Sequence, residues 1–167
     1  MNVSGPMPIV AEAYLDRLVD TNTLPWIEHE VPLPGGTGLQ AVKLLHADPA
    51  TGAYAMLARY PKGLVIPRHK HLAPAHSWIL QGAWRFEGSR LTATAGCYSY
   101  EELGAIHTML IEEDTVAFHV IGGPLVFHVP DGGVREMWDW ESTQIAWRQT
   151  LADVGLAPTA WRPAPRG

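Results

Sequence analysis

GLVIPRHKHLAPAHSWILQG, residues 63–82, is the stretch that decides how this chain folds. It places three histidines, His69, His71 and His76, within eight residues of otherwise strand-like sequence. Side chains two apart on an extended strand project to the same face, so His69 and His71 present two imidazoles side by side while Arg68 and Lys70 point away. That is half of a metal site. A lone His-x-His is as readily a chance pair on a polar strand edge, so the reading depends on what surrounds it.

Outward from this stretch the chain reads as a succession of short strands. Upstream, residues 26–31, 39–46 and 53–60 are extended runs, broken by Pro32 to Gly36 and by the turn Asp48-Pro49-Ala50-Thr51-Gly52. From the histidines onward, runs at 64–71, 75–81, 83–87, 90–95, 97–100, 106–111, 115–121, 125–129 and 134–138 alternate with turns rich in glycine and proline. Strands at this spacing, with no helices between them, predict an all-β sandwich or barrel rather than a parallel α/β sheet. Two short helices flank it. Ile9, Val10, Ala13, Tyr14 and Leu18 fit an amphipathic helix over 9–19, and a second pattern over 141–154 stops at Gly155, with Ile145, Trp147 and Leu151 placed to cover a sheet edge. The expected organisation is an N-terminal arm and helix over 1–25, a barrel over 26–140, a C-terminal helix over 141–157 and a tail over 158–167.

Composition narrows the function. A chain of 167 residues, 47% hydrophobic, is the size of one domain with a single core. Its 12 Lys and Arg and net charge of -5 offer no basic patch for nucleic acid. Cys97 is the only cysteine, which excludes an intrachain disulfide and reads as a small buried hydrophobe. There is no apolar run long enough for a membrane span and no basic-then-apolar leader, so a cytoplasmic protein is expected.

A third ligand stands at His107, in GCYSYEELGAIHTML. Gly63, five residues, His69-x-His71, then Gly82, resembles the first motif of the cupin superfamily. Gly96, Gly104 and His107 match the second motif in register, with Glu102 where proline is usual. The resemblance covers roughly residues 60–130. It implies a double-stranded β-helix, or jelly roll, holding one divalent metal through His69, His71 and His107, with Fe(II) favoured and Zn, Ni or Cu possible. Within the superfamily the chain resembles the small single-domain cupins that include 2,4'-dihydroxyacetophenone dioxygenase, acetylacetone-cleaving dioxygenases and the cupin module of ChrR-type anti-sigma factors. That likeness implies dioxygen, a hydroxyketone or β-diketone substrate and cleavage of a C–C bond beside the ketone. The alternatives are a non-catalytic metal-binding sensor module and a metal-dependent isomerase or lyase. Exposed sheet edges lead us to expect a homo-oligomer, dimer or tetramer.

The fourth ligand of the first motif is where the chain departs from the pattern. One count places Ala75 there, which has no donor, and another places His76. A one-residue shift turns a strand side chain to the opposite face, so His76 reaches the metal only through a bulge. We expect a three-histidine site with no carboxylate on the metal, His76 being a fourth ligand or standing just behind the ligands. Gln81 is a candidate polar group on the Ala75 face. Trp78, Trp84 and Phe86 are core residues or the walls of an aromatic pocket. His29, His46, His119 and His128 read as surface or hydrogen-bonded histidines, and Glu101, Glu102, Glu112 and Glu113 as turn and solvent residues.

Overall fold

A computed structural model describes residues 20–22, 24–153 and 155. The expected helix over 9–19 and the tail over 158–167 lie outside the described residues. Among the described residues twelve strands follow one another: β1 Ile27–Leu33, β2 Gly36–Ala47, β3 Tyr54–Tyr60, β4 Val65–His71, β5 Ala75–Gln81, β6 Ala83–Phe86, β7 Thr92–Thr94, β8 Tyr98–Glu101, β9 Ile106–Ile111, β10 Thr115–Ile121, β11 Leu125–His128 and β12 Val134–Trp138. One helix, α1 Trp140–Asp153, closes the described chain. The strands form two six-stranded antiparallel sheets, ordered β1-β2-β3-β10-β5-β8 and β12-β11-β4-β9-β6-β7. This is the cupin jelly roll, a sandwich whose inner faces carry the core.

Alternation makes that core. Along β10 the residues Thr115, Ala117, His119 and Ile121 are buried in a strict period of two, and along β5 so are Ala75, Ser77 and Ile79. One apolar cluster gathers Ile27, Leu44, Tyr54, Ile121 and Phe127 with Trp147 and Leu151 of α1; a second gathers Tyr60, Leu64, Ile79, Trp84 and Ile111. The helix therefore contributes to the core itself, while Ile145, expected on the same face, is 62% exposed. Asp139 caps α1, its carboxylate accepting from the Ser142 backbone N–H at 2.8 Å, and Gly155 ends it at φ +72°.

Two local details position the site. The first is the turn after β1. Pro32 does not break the strand: it pairs with Thr37 and Leu33 with Gly36, leaving Pro34 and Gly35 as a two-residue turn. β1 is a sheet edge, where the missing proline N–H costs no ladder bond. The second is Gly82, where the chain passes from β5 in one sheet to β6 in the other. It has φ +79°, and a Cβ there would lie 2.2 Å from the Asp114 carbonyl oxygen, so only glycine fits.

Candidate metal centre

The geometry of β4 depends on a bulge. Leu64 and Ile66 face the core, and simple alternation would carry Arg68 and Lys70 inward after them. The register against β9 slips between Ile66 and His69, so that two steps on β9 span three on β4. The extra residue inverts the phase: His69 and His71 are 4% and 2% exposed, and Arg68 faces out. The same bulge offers the Pro67 carbonyl to His69, whose Nδ1–H donates to it at 2.8 Å. This leaves the His69 Nε2 lone pair free for a metal.

His107 is the direct cross-strand partner of His69, on β9. The three rings pack with centroids 4.7 to 5.1 Å apart, and Phe86 stacks on His107 at 4.2 Å. The fourth member comes from the other sheet. Glu101, the last residue of β8, turns its carboxylate inward so that Oε2 lies 3.0 Å from His71 Nε2 and 3.1 Å from His107 Nε2. Those two nitrogens are themselves 3.3 Å apart. One donor atom from each of His69, His71, Glu101 and His107 falls within 4.8 Å of all the others.

These spacings fit a metal ion. Donor atoms bound at ~2.1 Å to one ion stand roughly 3.0 to 3.4 Å from one another in octahedral or tetrahedral arrangements. Charge agrees with geometry. Burial pushes the His69 imidazole down to about 4, keeping it neutral as a ligand must be. Burial by itself would raise the Glu101 carboxyl, but hydrogen bonds from His107 and His71 outweigh it and hold the group well below the usual carboxylate range.

Glu101 corrects two expectations at once: it is not a turn and solvent residue, and the donor set does contain a carboxylate. The strand register explains how. Glu101 pairs directly with Ala75, the position where the motif would carry a carboxylate. Ala75 is 2% exposed, and its small side chain leaves room for the neighbouring strand to deliver the acid instead. The residue alternation of Tyr98-Ser99-Tyr100-Glu101 is a faint sequence signal, since it puts Ser99 and Glu101 on one face. Without the β5–β8 register it does not say which face.

His76 stands outside this group. β5 is regular from Ala75 to Ile79, and its irregularity, opposite Val116–Ala117, comes too late to turn His76 inward. His76 is exposed, with Nδ1 2.5 Å from the Tyr98 hydroxyl on the outer face, so it neither joins nor backs the ligands. Gln81 follows that irregularity and is also exposed. Trp78 is 49% exposed on the outside, and Trp84 is buried with its ring stacked on His119 at 5.8 Å; neither lines the interior cavity. His119 is 6% exposed and bonded on both nitrogens, while Cys97 is partly buried against the second core cluster.

His69, His71 and Glu101 form part of the wall of an interior cavity of about 540 Å³. The rest is largely apolar, with Val42, Met56, Ile66, Leu125, Phe127 and Trp138 along it. His107 opens instead onto a shallow depression on the other side, under the turn at 102–105, and Glu101 is common to both. No helix among the described residues is long and apolar enough to cross a membrane.

Comparison with known proteins agrees with this architecture. The structure superposes on an RmlC-like cupin protein from Ralstonia eutropha JMP134 with a TM-score of 0.79 at 23% identity, covering 90% of this chain and 96% of that one. It matches an acetylacetone dioxygenase from Acinetobacter johnsonii with a TM-score of 0.67 at 26% identity, over 83% and 93% of the two chains. A candidate acetylacetone dioxygenase from Methylibium petroleiphilum PM1 gives 0.72 at 27% identity, over 80% and 95%. No curated protein matches the sequence. The family profile described as the ChrR cupin-like domain matches residues 15–126, and with both sheets and the histidine–glutamate cluster in place, the chain belongs to that cupin family.

Proposed function

We propose that this protein is a mononuclear non-haem iron dioxygenase that cleaves a C–C bond beside a ketone, with His69, His71, Glu101 and His107 holding the metal. The observation that carries the reading is a three-histidine, one-carboxylate donor set of which His69, His71 and Glu101 line a largely apolar cavity. Imidazole and carboxylate together suit Fe(II), and these four residues would hold it while leaving it open to a substrate chelating through its oxygens. Iron held there would supply the redox chemistry by which dioxygen reacts with the bound substrate. The similarity to the acetylacetone dioxygenase from Acinetobacter johnsonii supports the reaction class.

The chain's own contribution is placement. A cavity of about 540 Å³ falls in the range of roughly 300–1,000 Å³ that encloses an organic ligand, so the substrate carries an apolar body behind its chelating oxygens. Leu125, Phe127 and Trp138 exclude water around that body. Glu101 brings one negative charge, so a divalent ion keeps a net single positive charge toward the substrate. An enolate or a deprotonated hydroxyketone neutralises it.

Oxygen uptake by iron-loaded protein, measured against hydroxyketones and β-diketones of increasing apolar length with identification of both cleavage fragments, tests the proposal. Uptake coupled to cleavage is expected, rising with the apolar body. Stoichiometric metal binding with no uptake across the panel would refute it. The family description, which names ChrR, would then favour a metal-sensing module.

A further inference from the structure

A line of buried hydrogen bonds runs across one sheet and ends on Glu101. Its members, Tyr60, His119, Ser77 and Glu101, sit on β3, β10, β5 and β8, which are consecutive neighbours in that sheet. Tyr60 OH lies 3.1 Å from His119 Nε2, His119 Nδ1 lies 2.8 Å from Ser77 Oγ, and Ser77 Oγ lies 3.3 Å from Glu101 Oε1. His119 and Ser77 are direct cross-strand partners. Tyr60, Ser77 and His119 are 5%, 2% and 6% exposed.

The carboxylate sets the direction of every proton in the line. Ionised Glu101 only accepts, so the Ser77 hydroxyl donates to it. Ser77 Oγ in turn accepts the Nδ1–H of His119. His119 Nε2 is then left as an acceptor and takes the Tyr60 O–H. In the neutral ring protonated on Nδ1 both neighbours are satisfied, Ser77 Oγ accepting from Nδ1–H and Nε2 accepting from the Tyr60 O–H. The line is complete, with each polar atom matched, which is the condition under which buried polar groups are retained without penalty. Trp84 reaches across from the other sheet and lies nearly parallel to the His119 ring, 14° from coplanar, holding its plane.

We propose that Tyr60, His119 and Ser77 are positioning residues that fix Glu101 as a one-oxygen metal ligand. Tying Oε1 to Ser77 leaves Oε2, the oxygen beside His71 and His107, as the one presented to the ion. The carboxylate is thereby kept from closing on the metal with both oxygens, which preserves positions for a chelating substrate. Glu101 needs this support more than the histidines do, since it arrives from the opposite sheet at the very end of its strand.

The proposal rests on Glu101 being a ligand and is independent of the reaction assigned above, so it is tested without turnover. Metal-free full-length protein is titrated with Co²⁺, following affinity and the visible absorption band, in the wild type and in Ser77→Ala, Ser77→Thr and Tyr60→Phe. Removing an outer partner of a metal ligand weakens binding about 10- to 100-fold, so Ser77→Ala is expected to fall in that range with an altered band. Ser77→Thr, which keeps the hydroxyl, is expected to bind within about threefold of wild type, and Tyr60→Phe to weaken binding by a smaller factor than Ser77→Ala. ¹⁵N NMR of the wild type is expected to find His119 protonated on Nδ1 alone, a reading that stands even if a variant fails to fold. Wild-type affinity and band in Ser77→Ala, equal weakening by Ser77→Ala and Ser77→Thr, or a His119 protonated on Nε2 would each overturn the proposal.

Discussion

His119 makes the protein sensitive to acid, and by an amount that can be worked out. The ring is 6% exposed, and burial, opposed only by the nearby Glu101 charge, pushes it from 6.5 down to about 4. The folded state thus prefers the neutral ring, while the unfolded chain takes up a proton below about 6.5. The stability this contributes is complete above that value, declines as the pH falls and is exhausted near 4. A gap of about 2.5 at 1.36 kcal/mol each amounts to about 3 kcal/mol in full, of which about 2 kcal/mol is lost by pH 5. Carboxylates elsewhere also destabilise the fold in acid, so the measurement is a difference. Urea unfolding of metal-free wild type and His119→Gln, followed by tryptophan fluorescence from pH 8 to pH 5, isolates the ring. The wild type is expected to lose about 2 kcal/mol more than the variant over that interval, because glutamine does not titrate. His69 is buried to a similar value but is present in both proteins and cancels. Parallel curves for the two proteins would refute the reasoning.

Other consequences follow from the same geometry. Glu101→Ala is expected to lower metal affinity by at least about 100-fold, and adding Ala75→Glu to recover a good part of it, because the two positions pair across β5 and β8; isothermal titration with Zn²⁺ measures both. His76→Ala is expected to leave metal stoichiometry and affinity unchanged, as its ring lies on the outer face against Tyr98. Trp147→Ala, which empties a core site 1% exposed beneath α1, is expected to cost about 3–5 kcal/mol in denaturant unfolding, far more than Ile145→Ala on the exposed side of the same helix.

Much of the architecture is legible in the local pattern of the chain. Turn residues separate the strands so regularly that the runs predicted at 75–81, 106–111, 115–121 and 134–138 coincide with β5, β9, β10 and β12, and the helix over 141–154 with α1 to within one residue at each end. The grouping of His69 and His71 on one face also follows from neighbouring residues, since side chains two apart on a strand cannot avoid sharing a side. The turn after β1 is less readable, because a proline in an edge strand and a proline that ends a strand look alike until the edge is known.

Where the chain extends and turns, and which histidines share a strand or a motif, are written in the residue order alone, because these depend on neighbours within a few residues. Which face of each strand is the inside is set by the closed sandwich. The bulge after Ile66 inverts the phase of β4 to bring His69 and His71 inward, whereas β5 has none where His76 would need it. Pairing of β8 with β5 sets Glu101 opposite Ala75, and pairing of β10 with β5 sets His119 opposite Ser77. Register between strands distant in sequence is fixed by the summed packing of both sheets, so the acid that completes the site and the residues that hold it become visible only when the two sheets come together.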